Sequence, residues 1–546
     1  MGHAGVNVRY KQVPSVICEM DPNVKSFSGY ADVGKDQHIF FWMFEARNQD
    51  ATQAPLTVWL NGGPGASSML GLFQEMGPCG IDPNGNPYNN PYSFTNLSNV
   101  LFIDQPVGTG LSYSVPVNGY IDPITGRLLG LANATGCPDF AGGNCGTFPS
   151  WDLEKYPNST DASAPAFWKT LQGFMGAFPE YSRGSFHLAA ESYGGKYGPA
   201  FAAYLEEQNA ANIPDTVPIK LESLLLINPY MNPAMQFESY YRFLVSPGNT
   251  YDYKPLTDSI ATHLYSAIYG PGNCLEQLRK CDAPGGDAAC AQASVSCSWS
   301  IDAVYDTVTT RDEYDLRELK PDPFPYTFFY DYLNRPDVQV AIGATTNWTA
   351  FSDAVYSAFQ LTGEEARTGD YKTQLKSLLD AGVTVAVVVG DADYLCNWFS
   401  VQAIVDDMKL PGWSAAGFVD VATSDGVVHG QTKQAGLFSF TRVYESGHEV
   451  PFYQPLLALE LVERVITGHD VATGRQGPLT ADFKTVGPAT SDYREGNATV
   501  QFSVTPSNSS YQTTSGRPGV PWQQGPPPIG KRWLRNTRNK RIGRGL

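Results

Sequence analysis

The sequence predicts an α/β protein with a central, mostly parallel sheet covered by helices on both faces. Three observations carry this. Short apolar runs end in Gly, Pro or Asp, as strands buried on both faces do. Helix-like stretches alternate with them over ~400 residues, the order that builds a parallel sheet. With 42% hydrophobic residues, the 546-residue chain can fill one large domain with insertions, or two to four ordinary ones.

The expected strands are, in order, HIFFWMFEA (38–46), LTVWLNGG (56–63), VLFIDQP (100–106), SFHLAAES (185–192), ESLLLINP (222–229), VTVAVVVGD (383–391) and FSFTRVYESG (438–447). PAFWKTLQGFMGAF (165–178) and YQPLLALELVERVI (453–466) are the helical candidates. Two stretches break the alternation. Residues 115–162 are loop-rich and hold Cys137 and Cys145, while 231–335 hold Cys274, Cys281, Cys290 and Cys297. The second reads as an inserted cap subdomain, and such insertions sit over strand ends, where ligands bind. The expected catalytic domain is 15–475, followed by a Ser/Thr/Pro/Gly-rich segment, 476–546. Its end, GKRWLRNTRNKRIGRGL, has seven basic residues and no acid. Such a tail could attract anionic lipid or nucleic acid; a disordered end is the expectation here.

A formal net charge of −17 argues against nucleic acid as a partner and suits a soluble protein. No stretch reaches ~20 apolar residues, so no membrane span is expected. The four clustered cysteines are spaced 7, 9 and 7. Zinc ligands usually stand two to four apart with histidines alongside, so disulfides are expected there and metal is not. Six N-x-S/T sequons, at Asn96, Asn133, Asn158, Asn347, Asn497 and Asn508, point with the cysteines to a secretory route, secreted or vacuolar. The opening MGHAGVNVRYKQV contains no apolar signal core.

Chemistry concentrates at the ends of the expected strands. In AESYG, Ser192 follows an apolar strand and precedes a helix-like stretch, with small residues, Ala190 and Gly194, two before and two after it. That is the context of a nucleophile elbow, which lifts the hydroxyl out of the sheet. A serine needs a base, and the base an orienting acid. His448 sits on a glycine turn after a strand, whereas His187 lies inside one and reads as core. Asp391 and Asp393 end another strand. Ser, Asp, His, each at a strand's C-terminal end, is the order of an α/β-hydrolase. Asp393 is favoured as the acid, with Asp391 closing the turn through backbone N–H groups. In LTVWLNGG the glycine pair lacks phosphate-loop spacing; Gly63 and Tyr193 can offer two N–H groups to an oxyanion.

WLNGGPGASS, DQPVGTGLSYS, ESYGGKYGP, GDADYLCNW and GHEVPFYQP together resemble the serine carboxypeptidases, especially secreted fungal members related to carboxypeptidase Y. The resemblance covers residues ~20–470 in the family's order. It implies an α/β-hydrolase fold, no cofactor or metal, and removal of single residues from peptide and protein C-termini at acidic pH. By matching position, Ser192 is the nucleophile, His448 the base and Asp393 the acid, while Gly63 and Tyr193 form the oxyanion hole. Asn61, Gly62, Glu75 and Glu191 recognise the substrate's terminal carboxylate. Two buried glutamates close together cannot both ionise, so a shared proton could be donated to that carboxylate. Peptide binding should then weaken above roughly pH 6.

The resemblance also implies the pairs Cys274–Cys297 and Cys281–Cys290, with Cys18–Cys79 and Cys137–Cys145, leaving Cys396 as a free thiol near the site. Three positions depart from the family pattern: Ala66 for a cysteine, Ala190 for a glycine, and Glu449 where other members carry methionine. The insertion is expected to shape the pocket for the penultimate side chain, where the acidic composition hints at basic residues. An acyltransferase with the same triad and a non-catalytic binding or protective relative are the rival readings.

Overall fold

The computed structural model describes residues 2–125, 127–131, 136–245, 248–282, 286–512 and 517–521. The Asn133 sequon and the basic tail lie outside the described residues. In chain order the strands that position the site are β1 (Asn7–Val13), β2 (Ser26–Gly34), β3 (Gln37–Phe44), β4 (Leu56–Leu60), β5 (Asn99–Ile103), β6 (Pro116–Ile121), β7 (Leu128–Gly130), β8 (Cys145–Pro149), β9 (Phe186–Glu191), β10 (Leu221–Ile227), β11 (Thr384–Gly390), β12 (Val419–Ala422), β13 (Val428–Ala435) and β14 (Phe438–Val443).

Eleven of these form one sheet in the order β1-β2-β3-β5-β4-β9-β10-β11-β14-β13-β12. The six strands from β5 to β14 in that order run parallel, and antiparallel strands finish both edges. All seven apolar runs are strands of this sheet. The first of them, β3, is antiparallel because only Lys35 and Asp36 separate it from β2, and a two-residue connection can make only a hairpin. β1 was invisible to hydrophobic patterning because it is largely exposed.

Side chains alternate between two cores. Val58, Leu188, Leu224 and Val385 face one side, with Phe167 and Leu171 of α1 (Thr160–Ala177) and Phe201 and Leu205 of α2 (Gly194–Ala211). Trp59, Ala189, Leu225 and Ala386 face the other, with Leu457 and Leu461 of the helix Pro455–Ile466. Burial on both faces explains why the central strands read as unbroken apolar runs.

Between β10 and β11 the chain leaves the sheet. Its helices α3 (Pro233–Leu244), α4 (Asp258–Tyr269), α5 (Cys274–Cys281) and α6 (Asp287–Cys297) share a small core that includes Phe237, Leu264 and Leu278. Two nested disulfides, Cys274–Cys297 and Cys281–Cys290, bind α5 to α6. Within 115–162, loop-rich by composition, β6, β7 and β8 form a three-stranded antiparallel flap in the order β8-β6-β7, tied by Cys137–Cys145. Cys18–Cys79 is the fourth bond. Beyond 475 the chain stays on the body through 512: Gly417 N donates to Thr485 O (3.0 Å) and Gln501 N to Arg317 O (2.8 Å). Among the described residues no helix is long and apolar enough to cross a membrane.

Candidate active site

Parallel strands present their C-terminal ends at one edge of the sheet, where crevices form. Asn61–Gly63 follow β4, Ser192 follows β9, Asn228 follows β10, Asp391 and Asp393 follow β11, and His448 lies beyond β14. Ser192 has φ +61°, a left-handed conformation that costs a non-glycine residue about 1–3 kcal/mol. Neighbouring backbone holds it there: Ser192 N donates to Ile227 O (3.0 Å), and Ser192 O accepts from Gly195 N and Tyr230 N (2.8 Å each). A Cβ at Gly194 would stand 2.7 Å from that of Ala190. The extra methyl of Ala190 is therefore tolerated because position 194 is glycine.

His448 Nδ1 lies 2.7 Å from Asp393 Oδ2. That oxygen also accepts from Asn228 Nδ2 (2.7 Å), and Asp393 Oδ1 accepts from Cys396 N (3.0 Å). Burial alone would lower the imidazolium's pKa, but the charge and hydrogen bond of Asp393 outweigh it and hold His448 above its ordinary value. Asp391 points elsewhere, accepting from Tyr251 Oη (2.5 Å) and Arg442 Nη2 (3.5 Å). Its carboxylate is matched by a buried arginine and does not close the turn as expected.

The Ser192 hydroxyl contacts the Cys396 thiol, which burial, then Asp393 and Glu191, push well above the usual thiol range. Potential ligand atoms of Asp393, Cys396 and His448 lie within 4.8 Å of one another. A metal would need a thiolate and free carboxylate lone pairs. Here burial and neighbouring carboxylates hold the thiol protonated and the Asp393 carboxylate already accepts three hydrogen bonds, so the trio does not fit a cation.

Beside Ser192 stands an acidic group. Asn61 Oδ1 accepts from Trp59 Nε1 (2.7 Å) and Gly71 N (3.0 Å), which turns its NH2 toward Glu191 Oε1 (3.0 Å). Glu75, at the end of the turn Gly71–Glu75, interacts with Glu191. Both Glu75 oxygens and Glu191 Oε2 are buried without a well-aligned hydrogen-bond partner among the described residues. Burial raises Glu75 to about 7 against the opposing pull of Glu191, His448 and Asn61. Glu191 is raised well above the carboxylate range by burial and by the charges of Glu75 and Glu449. Burial and Glu75 bring Glu449 to about 8 despite His448.

These groups line a cavity of about 1000 Å³ together with Gly62, Gly63 and Tyr193. A Cβ on Gly62 would fall 2.3 Å from Tyr193 N, so only glycine lets the loop after β4 approach the serine turn this closely. A second acidic pair lines the same cavity. Asp302 Oδ1 is buried without a well-aligned hydrogen-bond partner among the described residues, and Glu365 accepts from Gln360 Nε2 and Tyr356 Oη. Burial raises each to about 7. Sequence reasoning missed Asn228, Asp302 and Glu365. Asn228 ends a strand as Ser192 does and could have been found by inspecting every strand end; the other two sit in irregular sequence with no motif.

Of the described sequons, Asn158, Asn497 and Asn508 are exposed, while Asn96 and Asn347 are half-buried. The Asn347 amide accepts from Thr147 N (2.9 Å) and donates to Asn334 Oδ1 (3.1 Å), tying the flap to the body.

The family model described as serine carboxypeptidase matches residues 14–468. Carboxypeptidase S1 homolog B of Arthroderma otae is 35% identical over 513 residues, 86% of this chain and 77% of that one. Carboxypeptidase S1 of Penicillium janthinellum is 36% identical over 458 residues, 83% of this chain and 97% of that one. Among solved structures, Kex1(delta)p, a prohormone-processing carboxypeptidase from Saccharomyces cerevisiae, superposes with a TM-score of 0.62. At 22% identity, over 81% of this chain and 91% of that one, it shows a shared fold, the α/β-hydrolase fold.

Proposed function

We propose, from the premise that this chain belongs to the serine carboxypeptidase family, that it releases single residues from peptide C-termini through an acyl-enzyme on Ser192, and does so at acidic pH. Asn61, Glu75 and Glu191 carry this reading. An exopeptidase must bind a free carboxylate one residue beyond the scissile bond, and this group supplies an amide and two carboxyls that burial pushes up, Glu75 to about 7 and Glu191 well above its ordinary value. A protonated carboxyl donates to the substrate carboxylate; an ionised one repels it.

The reaction then follows from the relay. His448 takes the Ser192 proton as Oγ attacks the carbonyl carbon, and Asp393 steadies the imidazolium. The oxyanion lies between the N–H groups of Gly63 and Tyr193. Collapse breaks the C–N bond, His448 gives its proton to the leaving amine, and the free amino acid departs. Water, deprotonated by the same histidine, releases the shortened peptide and restores Ser192. The four disulfides support an oxidising compartment, secreted or vacuolar.

Incubation with N-blocked dipeptides at pH 4 to 6, with and without a serine-directed fluorophosphonate, tests class and nucleophile together. The expected result is amino-acid release that the reagent stops and that Ser192→Ala lacks. Release that persists in Ser192→Ala would remove Ser192 from its role.

A further inference from the structure

The substrate chain must leave the cavity on the acyl side of Ser192, and a second groove receives it. This groove, about 820 Å³, shares Leu128, Tyr330, Phe351 and Ser357 with the active-site cavity and runs under the flap past Phe148 and Trp151. Trp151 and Phe351, exposed at 46% and 41%, place two large aromatic rings along this one groove.

One end of the groove meets the outer strand of the flap, whose outer edge pairs with no strand among the described residues. β7 is the outer strand of the flap, with β6 on its inner side. Asp122 N donates to Arg127 O (2.9 Å) and Leu131 N to Asn118 O (3.0 Å), with Tyr120 opposite Leu129 between them. Antiparallel bonding alternates, so the Arg127 carbonyl, Leu129 and the Leu131 N–H point toward β6 and the loop after it. The N–H and C=O of Leu128 and Gly130 face the other way. Leu128 borders both cavities, so this edge begins where the active site ends.

We propose that the groove binds the substrate upstream of its penultimate residue, as an extended strand added to the edge of β7 with apolar side chains against Trp151 and Phe351. Main-chain pairing gives affinity whatever the sequence, and the aromatic wall adds a preference for apolar residues. The proposal rests on the carboxypeptidase reading, which fixes the substrate's direction through Glu75 and Glu191. It makes the enzyme favour long chains over dipeptides.

The test uses N-acetylated peptides of two, four and six residues, apolar upstream and ending in one common dipeptide. A six-residue peptide N-methylated at upstream amides joins the set. Amino-acid release gives kcat/KM for the wild type and Trp151→Ala. The readout is the ratio of six- to two-residue kcat/KM within one preparation, so loss of folded enzyme cancels. We expect a ratio of roughly ten, carried by KM, that falls toward one on N-methylation and drops in Trp151→Ala. Equal values for two and six residues overturn the proposal, as does a gain that survives both changes. Absence of release at every length overturns instead the carboxypeptidase reading on which it rests.

Discussion

Asp393 Oδ2 meets His448 Nδ1 at 2.7 Å while Asn228 Nδ2 holds the same oxygen at 2.7 Å from the next strand end. The carboxylate is thus held from two sides, and all three side chains are buried. Replacing Asp393 by Asn keeps the shape but offers the histidine a donor where it needs an acceptor. Turnover should fall by roughly 10⁴ with peptide KM little changed. Asp391→Asn should act differently: it strips a buried arginine of its partner, so thermal stability falls by a few kcal/mol while kcat per folded molecule stays within a few-fold. Equal kcat losses in the two variants would mean that the acid is misassigned.

Glu75, Glu191 and Asn61 predict an asymmetry between substrates. Glu75 keeps a donor available at low pH and loses it as pH climbs through about 7, leaving a like charge beside the raised Glu191. KM for an N-blocked dipeptide should therefore rise from pH 6 to 8, while KM for the corresponding ester, which lacks the terminal carboxylate, stays level. Glu191→Gln, which donates at every pH, should flatten the peptide curve. A peptide KM constant from pH 4 to 8 in the wild type would refute the shared-proton account.

The site was legible because strand ends leave short, ordered signatures. GGPGASS, AESYG, GDAD and SGHE each follow an apolar run, and their order carried the triad. The sheet's middle was legible for the same reason, since strands buried twice read as continuous apolar runs. The edges were not: β1 is exposed and polar, and β12 pairs in a short irregular hairpin. Beyond residue 475 polar sequence packs through backbone bonds and through Tyr511, which accepts from Arg317 Nη2 (3.1 Å). Asp302 and Glu365 escaped because a pocket assembled from an insertion has no spacing to read.

Cys396 predicts selective chemistry. It is buried, protonated and in contact with Ser192. Iodoacetamide, which needs the thiolate, should react slowly even at pH 8, whereas a small organomercurial should block the site as it binds. Inhibition should track one equivalent and vanish in Cys396→Ser. Equal mercurial sensitivity in that variant would place the effect elsewhere.

Asp302 and Glu365 predict the penultimate preference. Burial raises both to about 7, and a cationic substrate side chain beside them would favour their charged forms. N-blocked dipeptides with Lys or Arg in the penultimate position should be cleaved faster than those with Leu, by roughly tenfold in kcat/KM. Asp302→Asn with Glu365→Gln should reverse that ratio without lowering the rate on Leu. A Lys-to-Leu ratio unchanged by the double variant would exclude these acids from the pocket.

The same buried acids set how stability depends on pH. Glu75, Asp302 and Glu365 titrate at about 7, Glu449 at about 8 and Asp104 at about 6 in the folded chain. Unfolded, they would release protons near the ordinary 3.8 and 4.5. Unfolding therefore sheds protons between pH ~4 and 8, and each rise in pH over that window favours the unfolded state. The raised His448 adds to the trend. His187, buried beside Ser185 and Ser223 and lowered to about 4, opposes it: its contribution is complete above 6.5 and is lost as pH falls toward 4. The five carboxyls outweigh the one histidine, so stability should be greatest near pH 4 and decline toward pH 8. Urea midpoints across pH 4 to 8 measure this, and Glu449→Gln should shallow the alkaline slope. A midpoint that holds level or rises from pH 6 to 8 would show that these carboxyls ionise freely in the native protein.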